Sequence, residues 1–183
     1  AGLEIEMICP LHGPVWRKDI AWFLDKYIHW ATYTPEDDAV VIAYASVYGG
    51  TENAANILAC RLREQGVQVE MFDTSVTPAS YILAAAFRFS HVVLAAPTYN
   101  GGVFVTMENL LHDLTAHGLK GRRAAYIENG SWAPTSARGM QKLLEPLNWE
   151  TAADTVALRS ALRQGQQEDL ERMAMQLAES VKA

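Results

Sequence analysis

Residues 39–66 read AVVIAYASVYGGTENAANILACRLREQG, and the order of residue types in this stretch decides the fold. Positions 39–45 form an unbroken apolar run, the pattern of a strand buried on both faces of a parallel sheet. Gly49 and Gly50 end the run. Residues 51–65 then place Ala55, Leu58, Ala59 and Leu62 at helical spacing, with Gly66 at the C-terminus to close the helix. A buried strand, a glycine-rich loop and an amphipathic helix make one βα unit.

Outward from this unit the pattern repeats. Strands are predicted at 67–72, 91–96, 124–128 and 155–158, and helices at 78–89, 107–117, 136–147 and 166–182. Five strands, each followed by a helix, predict a doubly wound α/β domain with a five-stranded parallel sheet and helices on both faces. Periodicity does not give the strand order. Toward the N-terminus, residues 3–8 alternate apolar and acidic side chains and predict a short strand with one wet face. The segment 9–14, with two prolines and a glycine, is irregular. Residues 16–30 carry Ile20, Phe23, Leu24, Tyr27 and Ile28 at helical spacing, and the polar joint 33–38 is the candidate domain boundary. The first element pair is thus an appendage to the α/β domain.

Composition narrows the function. The chain has 183 residues and a formal charge of −6, which argues against a nucleic-acid partner because phosphates need a basic face. No apolar run reaches the length that crosses a bilayer, and no secretory leader is visible. Cys9 and Cys60 belong to no C-x-x-C pair, so cysteine spacing points to no metal site. Two isolated thiols fit a reducing compartment, and the expectation is a cytoplasmic protein. A disulfide between them stays open at this level. A chain that starts at Ala1 is expected to be a processed protein or an excised fragment.

In open α/β sheets ligands sit beyond the carboxyl ends of the strands. After the first strand come Ser46, Val47, Tyr48, Gly49, Gly50 and Thr51, two hydroxyls and a tight glycine turn leading into a helix N-terminus, a site for an anionic oxygen cluster. The lysine of a P-loop and the G-x-G-x-x-G of a dinucleotide fold are both missing. A phosphate held by neutral hydroxyls and amides is what an FMN loop uses. On this loop alone a plain helix cap reads equally well. After the third strand come Pro97, Thr98, Tyr99, Asn100, Gly101 and Gly102, able to lay backbone groups along the edge of a flat heterocycle and a ring on its face. After the fourth come Asn129, Gly130, Ser131 and Trp132, again glycine beside an aromatic. Glu52, Asp73 and Glu128 lie singly near strand ends and read as helix-start charges or solvated tips. No catalytic acid or base is nominated, and His112 and His117 read as surface residues.

At YASVYGGTE (44–52), APTYNGGVF (96–104), ENGSWAP (128–134) and CPLHGPVWR (9–17) the sequence resembles the C-terminal flavodoxin-like domain of flavodiiron proteins. The resemblance runs through essentially the whole chain. It implies that residues 46–51 hold the FMN phosphate and that 97–102 and 129–132 bracket the isoalloxazine ring. It divides the chain into 1–35, the tail of a missing metallo-β-lactamase-like domain plus a linker helix, and 36–183, the FMN domain. His12 matches the last iron ligand of that missing domain, so it would bind metal in a full-length parent alone. Gly50 stands where the family usually has Asn, a departure expected to loosen the phosphate loop. The implied parent takes electrons from a rubredoxin-like protein or flavin reductase and passes them through FMN to a diiron centre that reduces O2 or NO, in a head-to-tail homodimer. Two other readings stand beside this one: a free-standing FMN-dependent NAD(P)H quinone reductase, and a flavin-less interaction module.

Overall fold

The computed structural model describes residues 4–183. The chain runs α1 (Ile20–Thr32), β1 (Asp37–Tyr44), α2 (Gly50–Glu64), β2 (Val69–Asp73), α3 (Ala79–Arg88) and β3 (Phe89–Tyr99). It continues through β4 (Gly102–Val103), α4 (Val105–Ala116), β5 (Arg123–Asn129), α5 (Ser136–Leu144), a single 3-10 turn (Glu145–Leu147), β6 (Glu150–Thr151), β7 (Val156–Leu158) and α6 (Gln164–Lys182). The sheet order is β2-β1-β3-β5, with β6 and β7 both pairing β5 along its far edge. All these pairings are parallel. The doubly wound, flavodoxin-like α/β class is therefore correct. The fifth strand position is shared by two short pieces, of which periodicity found only β7.

Strand alternation explains the two layers. Val40 and Ile42 of β1 point into a core with α2 and α6, through Leu58, Leu62, Leu170 and Leu177. Val41 and Ala43 point the other way, into a core with α3, α4 and α5 through Ile82, Leu111 and Met140. Both faces are covered, which is why residues 39–45 show no polar alternation.

The structure also corrects the N-terminal reading. Among the described residues, 4–8 form no strand: Ile8 makes one isolated antiparallel bridge with Trp16, and the residues before it are exposed. Alternation specifies a strand where a neighbour pairs with it and one face is buried, and neither condition is met here. The predicted helix 16–30 begins at Ile20, after Pro14 and a left-handed Asp19. Trp22, Tyr27, Ile28 and Trp30 of this helix are exposed, and Trp16, ahead of it, packs against Phe23 at 4.7 Å between ring centroids. Both cysteines are free and exposed.

The joint after α1 is tied to the domain by a buried cation. Arg122 is fully enclosed and donates to the carbonyls of Ala86 (2.7 Å), Tyr33 (2.6 Å), Lys120 and Gly121 (3.1 Å each), and also to that of Phe87. Burial lowers its pKa to about 10, so it remains charged at neutral pH. No carboxylate is among its partners; oriented carbonyl dipoles at the C-terminal end of α3 take that place.

Candidate functional site

The strands of the central sheet end at one face, and there the loops after β1, β3, β5 and β7 enclose an open cavity of about 440 Å³. That size lies within the range of small-molecule sites. Its walls are Ser46, Val47, Tyr48, Gly50 and Thr51 from the first loop, and Pro97, Thr98 and Tyr99 at the end of β3. Asn129, Gly130 and Ser131 follow β5, and Ser160 and Ala161 follow β7. Three of the sequence-derived loops thus meet in one place.

The first loop presents a set of unused hydrogen-bond donors at a helix N-terminus. Gly49, with φ of 81°, turns the chain so that α2 starts at Gly50. Among the described residues, none of the backbone N–H groups of 47–52 donates to a protein acceptor. The Oγ of Ser46 is buried and has no hydrogen-bond partner. Buried hydroxyls are nearly always paired in native proteins, so this one needs an acceptor or donor from outside the chain. Thr51 is buried too; its Oγ1 accepts from Asn129 Nδ2 at 3.2 Å and keeps its own proton to donate. No Lys or Arg lines the cavity, so an anion entering it would meet only a helix N-terminus and neutral donors. These groups fit a phosphate.

The second loop is narrower than the sequence suggested. Pro97, Thr98 and Tyr99 line the cavity, whereas Asn100 (φ 49°) and Gly101 (φ 75°) are the two left-handed residues of a tight hairpin turn joining β3 to β4. Asn-Gly is the favoured pair for such a turn, and it carries these residues and Gly102 past the cavity wall. Tyr99 is 50% exposed, its ring near-perpendicular to that of Phe104 with centroids 5.6 Å apart, so half of the side chain is open to a flat partner. Thr98 Oγ1 accepts the N–H groups of Thr135 (2.8 Å) and Ser136 (3.1 Å), capping the start of α5. Glu128 accepts from Ala137 N–H at 3.1 Å, so it is the helix-start carboxylate that its position implied.

In the third loop Gly130 and Ser131 face the cavity, while Trp132 projects to solvent at 89% exposure and is not part of the wall. Asn129 is only 6% exposed, and its amide is spent inside the protein: Nδ2 donates to Ser160 O (2.9 Å) and Oδ1 accepts from Ser160 N–H (2.8 Å). Ser160 and Ala161 were missed by sequence reasoning, since β7 was given no ligand loop. The expectation that Gly50 loosens the phosphate loop is reversed. An ideal Cβ at residue 50 would lie 2.3 Å from Ser160 O, so glycine is the residue that lets the fourth loop press on the first. Just before the first loop, burial and then the Glu52 and Asp73 carboxylates raise the Tyr44 pKa, keeping the phenol neutral.

His12 is exposed, and among the described residues no group of three or more His, Cys, Asp or Glu side chains could hold a metal ion. No described helix is long and apolar enough to cross a membrane.

No family model matches the chain. The rubredoxin-oxygen oxidoreductase of Megalodesulfovibrio gigas is 25% identical over 185 residues, an alignment that takes in 100% of this chain and 46% of that protein. The solved rubredoxin oxygen:oxidoreductase from Desulfovibrio gigas superposes with a TM-score of 0.91 at 24% identity, over 100% of this chain and 46% of that one. A Streptococcus pneumoniae flavodoxin gives a TM-score of 0.67 at 24% identity, over 78% of this chain and 99% of its own. The two superpositions establish the fold. The chain spans about half or less of the length of the curated relatives it matches.

Proposed function

We propose that this chain, whose homologues and structural neighbours are flavodiiron proteins, holds one FMN beyond the carboxyl ends of β1, β3, β5 and β7 and relays electrons through it. The observation that carries this reading is the buried, unpartnered hydroxyl of Ser46 beside a row of undonated N–H groups at the start of α2. When bound, FMN supplies a ring that accepts and returns electrons, chemistry that belongs to the cofactor. The chain's own residues bind and orient it. Ser46, Thr51 and the N–H groups of 47–52 donate to the phosphate oxygens, and the positive end of α2 favours their charge. Tyr99 offers its exposed half to the ring system, Pro97 and Thr98 border one side, and Gly130 and Ser131 the other. The cavity wall holds no cation, and an anionic reduced ring would find no charged partner there, which favours a low potential.

Within this reading, residues 1–35 are the end of a metallo-β-lactamase-like domain with its linker helix, and 36–183 are the electron-transfer domain. His12 then completes a diiron site in a longer cytoplasmic parent. That parent takes electrons from a rubredoxin-like protein or flavin reductase and reduces O2 or NO as a head-to-tail homodimer. The test is direct. The purified chain mixed with FMN should take up one equivalent, quench its fluorescence and be reducible, yet reduce neither NO to N2O nor O2 to water at a catalytic rate. Failure to take up FMN, or turnover of either gas by the 183-residue chain, would refute the proposal.

A further inference from the structure

We infer that Asn129 is a positioning residue for the phosphate end of this site, clipping the loop after β7 onto the loop after β1. The inference rests on the FMN reading above and extends it to groups that do not touch the cofactor through their side chains. Asn129 stands at the end of β5, between the two loops. Its amide grips both the N–H and the C=O of Ser160, at 2.8 and 2.9 Å, and holds that residue in the left-handed region at φ 65°. A second contact, Ser131 Oγ to Ser160 Oγ at 3.2 Å, steadies the same turn. Held there, the Ser160 carbonyl sits against Gly50 with no room for a side chain between them.

Two consequences reach the phosphate loop. The first turn of α2 is braced from the side at Gly50, which fixes the direction of its undonated N–H groups. In addition, the Asn129 Nδ2 contact to Thr51 Oγ1 at 3.2 Å occupies a lone pair of that hydroxyl, so its proton turns elsewhere, toward the cavity. Neither effect touches Pro97 or Tyr99. Its reach to the ring side is the one Ser131–Ser160 hydroxyl contact, so the clip acts chiefly on the phosphate, a selectivity that a merely structural asparagine lacks.

Riboflavin, which lacks the phosphate, separates the two roles. Apo-chain titrated with FMN and with riboflavin, read by flavin fluorescence, gives both dissociation constants. Asn129→Ala should raise the FMN constant about tenfold and leave that of riboflavin within about twofold. Gly50→Ala should do the same by a different route, forcing Ser160 away with Asn129 intact. Asn129→Ser, uncharged and able to keep one hydrogen bond but not the two-point grip on Ser160, serves where circular dichroism shows the alanine variant unfolded. In the unaltered protein the Ser160 amide resonance should shift on adding FMN and stay in place with riboflavin. Equal weakening of both ligands, no weakening of either, or a Ser160 resonance that responds alike to both overturns the clip. Unaltered chain that binds no FMN instead overturns the cofactor reading itself.

Discussion

Acid should destabilise this protein through one histidine. His91, at the start of β3 and far from the cavity, is 2% exposed and hydrogen-bonded at both ring nitrogens, to Ser90 Oγ at 2.8 Å and Ser180 Oγ at 2.9 Å. Arg123 donates to Ser180 Oγ at 3.1 Å, which leaves that hydroxyl to give its proton to His91 Nε2. The network thus assigns the neutral tautomer with hydrogen on Nδ1. Burial first, and then the Arg123 charge, lower the His91 pKa from 6.5 to about 4, against a smaller opposing pull from Asp38. The unfolded chain then takes up the proton more readily than the folded one. Stability is full above pH 6.5, falls as the pH drops toward 4, and loses about 3 kcal/mol over that window. That is a large share of a typical stability of about 5–15 kcal/mol. Urea unfolding followed by circular dichroism between about pH 7.5 and 4.5 should show this loss, and His91→Gln, which has no titrating ring, should lack it. Because Ser180 lies on α6, the last turns of that helix should lose amide protection first. Identical pH slopes in the two proteins, or a His91 ring titrating near 6.5 by NMR, would refute the argument.

Three other outcomes follow from the geometry. Arg122→Ala removes the donors that join Tyr33 to the end of α3, leaves their carbonyls buried, and should cost about 3 kcal/mol in urea unfolding; a loss near zero would mean that water replaces the guanidinium freely. Ser46→Ala deletes a hydroxyl with no protein partner, so apo stability should hold or rise while FMN binding weakens about tenfold, a split that titration and thermal melting resolve together. Tyr99→Ala should weaken FMN and riboflavin in parallel, by about 0.5–1.5 kcal/mol beyond lost area, and an effect confined to FMN would remove Tyr99 from the ring side.

The sequence carried the layer structure because burial on both faces leaves an uninterrupted apolar signature, as at 39–45. It carried the place of the first loop at the cavity because a glycine turn between a buried strand and a helix falls at the carboxyl edge of the sheet. It did not carry β6, whose Glu150 and Thr151 are exposed and show neither an apolar run nor alternation. The hairpin at Asn100-Gly101 was legible in principle: the dipeptide is the strongest short-range turn signal, yet its position after a buried strand drew it into the ligand reading. Ser160 and Ala161 were hidden for a different reason. Their place at the cavity depends on the pairing of β7 with β5 and on the long-range grip of Asn129, and neither leaves a local pattern. The N-terminal alternation failed for the converse reason, a local pattern without a tertiary partner.

The far border of the sheet has a consequence for how this protein behaves when crowded. Beside β5 the chain offers two ladder residues at Glu150–Thr151 and three at Val156–Leu158, with the backbone between them diverted and Asp154 tethered to Gln176 of α6. A stray strand from another molecule would find no continuous row of open donors and acceptors to zip along on this side. An interrupted border of this kind resists templated self-association, which matters for a domain whose central strands β1 and β3 carry continuous buried apolar runs.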